Sequence, residues 1–239
     1  RTAWMYQGNG SKLLGEFYAK YNVVAFPAGN TGAQMGGWYR KEIKSLADFQ
    51  GLKMRIGGFG GTVVGGIGGV PQNIPGGEIY QALEKGTIDA CEWVGPYDDM
   101  KLGFNKVAPY YYYPGWWEGG PEIDVMINRD AYNKLPKEYQ AIISAASAKA
   151  MINMTAKYDA RNPQALKTLL ASGTKLRQMP KDIMDAAFNY AMKSYDELSD
   201  TNEDWKKIYS DYKGFRKDQN AWFRLTEGTF DRYMQQAKL

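Results

Sequence analysis

The chain has 239 residues, a net charge of +4 and no histidine, which excludes a Ser-His-Asp triad, a Cys-His pair, a His-ligated zinc and a histidine general base. Its single cysteine, Cys91, excludes an internal disulfide and a thiolate metal cluster. Basic residues alternate with acids, as in residues 200–207, so there is no stripe for nucleic acid, and no apolar run reaches the length of a membrane span.

In chain order, Leu14, Phe17 and Tyr18 predict a short helix over residues 13–21, and the apolar run at residues 23–26 predicts a buried strand. Residues 27–32, with Pro27, Gly29 and Gly32, predict a turn that leaves Gln34 just beyond it. An amphipathic connector over residues 43–49 precedes a strand at residues 52–56, whose last residues are Arg55 and Ile56, followed by Gly57 and Gly58. The glycine-rich stretch from 57 to 69 lacks the ending of a Walker A loop and the spacing of a dinucleotide fingerprint. It is expected to be a loop and a weak helix that let the backbone approach a ligand or a neighbouring element.

Residues 78–85 predict a helix stopped by Gly86, and residues 87–91 a strand carrying Cys91 as a buried, inert thiol. Strand, helix and strand with short loops indicate an α/β unit. Asp98 and Asp99 are expected to be helix-start charge rather than a cation site. Strands are expected at 110–113 and 124–127, with an aromatic, glycine-rich loop at 114–121 between them. Beyond Pro136 the pattern is helical: a long helix over 137–161, a shorter one from Pro163 to about Gly173, a strand at 175–178, a helix over 182–198 and a long helix from 203 to about 236.

One arginine and two glutamates sit at the ends or turns of these strands. Arg55 can grip a small carboxylate through paired N–H donors, and ligands in α/β sheets collect at the carboxyl ends of strands. Glu92 and Glu118 flank glycine- and aromatic-rich turns, and oxygen ligands of this kind suit Ca²⁺ or Na⁺. Phe59, Trp93, Tyr97, Trp116 and Trp117 can wall an apolar tail, although each is individually a more ordinary core residue.

These landmarks resemble the solute receptors of tripartite ATP-independent periplasmic (TRAP) transporters, in the branch that binds α-keto acids and related 2-hydroxy acids. The resemblance is carried by Phe26-Pro27-Ala28-Gly29-Asn30-Thr31-Gly32-Ala33-Gln34, Gly51-Leu52-Lys53-Met54-Arg55, Pro75-Gly76-Gly77-Glu78-Ile79, Gly86-Thr87-Ile88-Asp89-Ala90 and Glu92-Trp93-Val94-Gly95-Pro96-Tyr97, and by residues 110–118. It implies a two-lobed α/β periplasmic binding protein fold with hinge-linked lobes and a long C-terminal helix. The expected lobes are 1–38 with 119–172 and 39–118 with 173–200, followed by the helix at 201–239, and the first lobe is expected to lack an N-terminal portion.

The resemblance further implies a non-enzymatic receptor for pyruvate, 2-oxobutyrate or 2-oxovalerate. Arg55, Gln34, Trp93, Phe59 and Trp117 would contact the ligand. Glu92, the Trp93 carbonyl, Glu118 and Gln34 would hold the Ca²⁺ or Na⁺ that bridges the substrate carboxylate. The receptor would work in the periplasm, with the TRAP membrane permease subunits as partners and no nucleic acid, either paired with a second copy across the C-terminal helix or as a monomer with that helix folded back on itself. Two departures stand out: Trp117 occupies the place of a histidine, and Gly119-Gly120 replaces a Glu-Pro-Gly continuation. A metal-dependent lyase or hydratase acting on 2-keto acids is the alternative, with Glu92 or Glu118 as general base. A protein adaptor built from the helical C-terminal half is a third class.

Overall fold

The structure is a computed structural model that describes residues 1–117 and 119–237. In chain order its elements are α1 (Thr2–Gln7), α2 (Gly10–Ala19), β1 (Val23–Gly29), β2 (Gly37–Tyr39), β3 (Lys53–Arg55), α3 (Gly58–Gly66), β4 (Val70–Gln72), α4 (Ile79–Lys85), β5 (Ala90–Cys91) and α5 (Pro96–Leu102). They continue with β6 (Tyr110–Tyr113), β7 (Ile123–Asn128), α6 (Arg129–Asn133), α7 (Lys137–Ala171), β8 (Lys175–Gln178), α8 (Lys181–Thr201), α9 (Glu203–Leu225) and α10 (Glu227–Gln236). Short 3₁₀ turns lie at Leu46–Phe49, Gly76–Glu78 and Phe104–Lys106. No helix among the described residues is long and apolar enough to cross a membrane.

The chain divides into two compact units. One comprises Pro27–Asp124 and Ile142–Tyr195, the other Arg1–Phe26, Val125–Ala141 and Asp196–Leu239. The division runs through both β1 and β7, which pair as a two-stranded sheet.

The first unit is built on a six-stranded sheet in the order β4-β3-β5-β2-β6-β8. β3 is parallel to β4 and β5, β6 is parallel to β8, and β2 runs antiparallel between β5 and β6. Alternation along its strands supplies two cores, one on each face. Tyr39, Met54, Ala90 and Tyr112 point into one core, with Val63 and Val64 of α3 and Ile183 and Ala187 of α8. Trp38, Cys91 and Tyr111 point into the other, with Ile79 and Leu83 of α4 and Leu169 of α7.

The second unit is helical. Asp211 of α9 accepts from Trp4 Nε1 at 2.7 Å and from Asn9 Nδ2 at 2.8 Å, and these donors hold its carboxyl below the usual range. Trp4 also meets Tyr212 edge to face at 5.1 Å. Lys207 reaches Glu16 at 2.6 Å, pinning α9 to α2.

Several expectations are corrected. Residues 27–29 extend β1 rather than opening a turn, which begins at the Asn30 side chain bonded to Gly32 N at 2.7 Å. β2 and β4 were not expected: each has three residues, and β4 contains Pro71 at the sheet edge, where a missing N–H is tolerated. β5 is only two residues long because Thr87 and Ile88 spend their N–H groups on the Ala82 carbonyl at the end of α4.

The glycine-rich stretch holds a full helix, α3, since burial of Val63 and Val64 outweighs poor propensity. α7 continues through Pro163, which forfeits one hydrogen bond while Leu166 and Leu169 keep the helix packed on the Trp38 core. The C-terminal pattern is two helices rather than one, interrupted at Thr226.

Candidate functional site

The sheet topology alone gathers the candidate residues. β3, β5 and β6 all end at the same end of the sheet, and antiparallel β2 begins there. Arg55 ends β3, Glu92 follows β5, the aromatic loop follows β6, and Gln34 precedes β2. Two main-chain bonds draw the loops together: Gly115 N donates to the Gln34 carbonyl at 2.9 Å, and Met35 N to the Val94 carbonyl at 3.3 Å.

At the centre, Arg55 and Cys91 are register partners on adjacent parallel strands, so Arg55 lies beside Glu92. An Arg55 Nη1 donates to the Glu92 carboxylate and, at 3.1 Å, to the Glu92 carbonyl. Arg55 Nε donates to the Ile74 carbonyl at 3.2 Å, and Gly57 N donates to the Glu92 carboxylate at 3.2 Å. The guanidinium carbon lies 5.1 Å from the centre of the Trp93 ring, a cation–π distance. Arg55 and Glu92 side chains are 14% and 13% exposed, so the pair is shielded yet reachable. The Pro75-Gly76-Gly77 motif serves this wall: a Cβ at Gly76 would stand 2.7 Å from the Trp93 ring.

Gln34 is buried, at 9% exposure. Phe59 stacks on Tyr195 at 5.0 Å, and Trp116 and Trp117 meet edge to face at 4.7 Å; all three pack against the Met54 core. The indole N–H groups of both tryptophans are buried without an acceptor among the described residues. Buried donors are normally satisfied, so these two are suited to a ligand oxygen. Tyr97 is turned elsewhere, with Lys101 Nζ 3.4 Å from its ring centre and Tyr158 beside it. Glu118 lies outside the described residues, so its place in the site is not described.

The donor set fits a hard cation. Glu92, Gln34 and Trp93 lie on segments that main-chain bonds draw together, and the carboxylate, amide and carbonyl oxygens they carry are ligand types that a hard cation takes. No group of three acidic, histidine or cysteine side chains forms among the described residues.

Asp99 stands in the first turn of α5, in keeping with its reading as helix-start charge. It is also buried, at 1% exposure, which that reading did not address. Its Oδ2 accepts from Trp38 Nε1 at 2.9 Å and Tyr111 OH at 2.7 Å, and its Oδ1 from Val94 N at 3.2 Å and Gly95 N at 3.0 Å. Burial pushes its pKa up to about 7, with the four donors pulling the other way. The acidic pair after a Gly-Pro start was the available signal, but nothing in the sequence distinguishes the buried aspartate from Asp98. Cys91 is fully buried, and burial pushes its thiol well above the usual value, as expected of an inert core cysteine.

Comparison with known proteins places this geometry in context. Residues 1–202 match the DctP model, the bacterial extracellular solute-binding proteins of family 7. A monocarboxylate 2-oxoacid-binding periplasmic protein of Nostoc sp. is 52% identical over 231 residues, covering 97% of this chain and 64% of its own length. The chain thus spans less than two thirds of that relative.

Among solved structures, a TRAP transporter solute-binding protein from Bordetella bronchiseptica is 55% identical with a TM-score of 0.95, covering 98% of this chain and 69% of that one. It is a mixed-occupancy dimer with copurified calcium and picolinate in one active site and the other site apo. One from Pseudoalteromonas atlantica, with bound sodium and pyruvate, is 39% identical with a TM-score of 0.92, covering 99% of this chain and 71% of that one. The α/β architecture agrees with these structures, and nothing in the comparisons supports a lyase or hydratase. With the family model spanning most of its length and a relative more than half identical, the chain belongs to the bacterial extracellular solute-binding proteins of family 7.

Proposed function

We propose that this protein is the periplasmic receptor of a TRAP transporter and that it captures a small 2-oxo monocarboxylate of the pyruvate type. The observation that carries the reading is the shielded Arg55–Glu92 pair at the carboxyl ends of β3 and β5, with Gln34 and the aromatic loop at the same end of the sheet. Arg55 would take the substrate carboxylate on its planar donors. Ca²⁺ or Na⁺, held by Glu92, Gln34, the Trp93 carbonyl and Glu118, would supply positive charge that a 2-oxo acid can chelate through its carboxylate and keto oxygens. Phe59, Trp93 and Trp117 would close around the short apolar tail.

Glu92 has two roles in this reading. In the absence of substrate its carboxylate neutralises Arg55, and with substrate it would serve the cation while the incoming carboxylate replaces it on the guanidinium. The TRAP membrane permease would receive the captured acid. A second copy would pair through α9 and α10, where Trp222, Leu225, Phe230 and Tyr233 are 57–74% exposed; such a row of large apolar side chains marks an interaction face. The relative from B. bronchiseptica is itself a dimer.

The test is thermal unfolding with pyruvate, 2-oxobutyrate, lactate and propionate, each with Ca²⁺, Na⁺ or chelator. A ligand at one hundred times its Kd adds about 2.7 kcal/mol, a shift of a few degrees. Stabilisation by 2-oxo acids that depends on the cation is expected. Equal stabilisation by propionate, or none by any acid, would count against the reading.

A further inference from the structure

We propose that Asp99 is a positioning residue of the cation site, a carboxylate that ties together the turn after Glu92 and Trp93, the strand that follows Gln34 and the strand that leads into the aromatic loop. This rests on the receptor reading above and adds to it a residue outside the ligand set. Its four hydrogen bonds lead to three parts of the site. Val94 N and Gly95 N belong to the turn that follows Glu92 and Trp93. Trp38 Nε1 comes from β2, which is preceded by Gln34. Tyr111 OH comes from β6, which leads into the loop of Trp116 and Trp117. The two rings stack at 3.9 Å, so Asp99 Oδ2 receives both donors from one aromatic plate.

The arrangement suits a carboxylate and no other side chain of that size. All four partners are donors, and an ionised carboxylate is acceptor-only, with a lone pair for each. Asparagine can offer its carbonyl to Val94 and Gly95, but its NH₂ would then face Trp38 and Tyr111. The tyrosine hydroxyl can rotate to accept; the indole N–H cannot. Removing a group that holds a metal ligand from behind typically costs about 10–100-fold in metal affinity. Asp99 acts here on a main-chain carbonyl, that of Trp93, and on strand ends, which only a fixed backbone can aim.

The experiment compares Asp99→Asn and Tyr111→Phe with the wild-type chain. Binding of Tb³⁺ is followed by tryptophan-sensitised luminescence, with Ca²⁺ as competitor, and pyruvate binding by calorimetry at saturating Ca²⁺. Asp99→Asn is expected to weaken Tb³⁺ and Ca²⁺ by about 10–100-fold, with pyruvate affinity recovering as Ca²⁺ is raised. Tyr111→Phe removes one donor but leaves the carboxylate, so it is expected to lose severalfold less. Variants that unfold at lower temperature but bind Tb³⁺ and Ca²⁺ with wild-type affinity would overturn the proposal, leaving Asp99 a structural residue. If Asp99→Asn does not fold, wild-type cation affinity in Tyr111→Phe overturns it alone. A wild-type chain that binds neither cation nor pyruvate would instead overturn the receptor reading.

Discussion

Arg55 holds Glu92 twice, at the carboxylate and at the main-chain carbonyl, because Arg55 ends β3 opposite Cys91, the last residue of the neighbouring parallel strand β5, and Glu92 comes next. The arginine is therefore both the candidate anchor of the substrate and a brace of the β5 turn. A basic residue elsewhere on the surface could supply charge, but not this position.

Arg55→Lys separates charge from geometry. Lysine keeps the positive charge and loses the planar fork, and hydrogen bonds to charged groups contribute about 1.5–3 kcal/mol each. We expect pyruvate affinity to fall by about 10–100-fold in calorimetry, with the protein still folded. Affinity equal to wild type would remove Arg55 from the substrate site.

Glu92→Gln tests the other half of the pair. The amide keeps the shape and an oxygen but removes the formal charge, and hard-cation affinity follows the charge count of the ligands. The Ca²⁺ concentration for half-maximal thermal stabilisation by pyruvate should rise about tenfold or more. An unchanged calcium requirement would leave Glu92 as a partner of Arg55 only.

Much of this arrangement was legible in the sequence. Arg55 before Gly57-Gly58, Glu92 after a short apolar run and Gln34 after a turn all mark strand ends, and the structure puts those strand ends at the same end of the sheet. The strand that orders them was not legible: β2 is Gly37-Trp38-Tyr39, too short to show a period, and its antiparallel direction depends on partners far away in sequence. The helicity of α3 and the continuity of α7 through Pro163 were hidden for the same reason, since distant packing outweighs local propensity. The burial of Asp99 was not legible either, because burial is a property of the assembled sheet, and a helix-start aspartate looks the same wherever its side chain points.

Gly37 shows how little room that central strand has. Its φ is +88°, and a Cβ there would lie 2.4 Å from the Cys91 carbonyl oxygen. Gly37→Ala thus combines left-handed strain of about 1–2 kcal/mol with a main-chain clash of about 1–3 kcal/mol. A loss of about 2–5 kcal/mol in denaturant unfolding is expected, together with weaker oxo-acid binding, since β2 and β5 must move apart next to Glu92. A variant as stable as wild type would mean that the strands part freely at this point.

The pH dependence of Asp99 can be isolated by subtraction. Its folded-state pKa is raised from the ordinary 3.8 to about 7, so between those values the folded chain binds a proton that the unfolded chain does not. That contribution to stability is fully present below the ordinary value and is lost as pH rises through about 7. Lowering the pH from 8 to 5 should therefore stabilise the wild-type chain relative to Asp99→Asn, in which this proton is missing and every other titration is shared. The gain approaches about 1.4 kcal/mol per pH unit within the window, as one proton requires. Urea unfolding of both proteins at pH 5, 6, 7 and 8 reads the difference directly. A constant difference would show that the four donors hold Asp99 at its unfolded-state value despite burial; a difference growing in favour of the wild type as pH rises would show that they depress its pKa below that value.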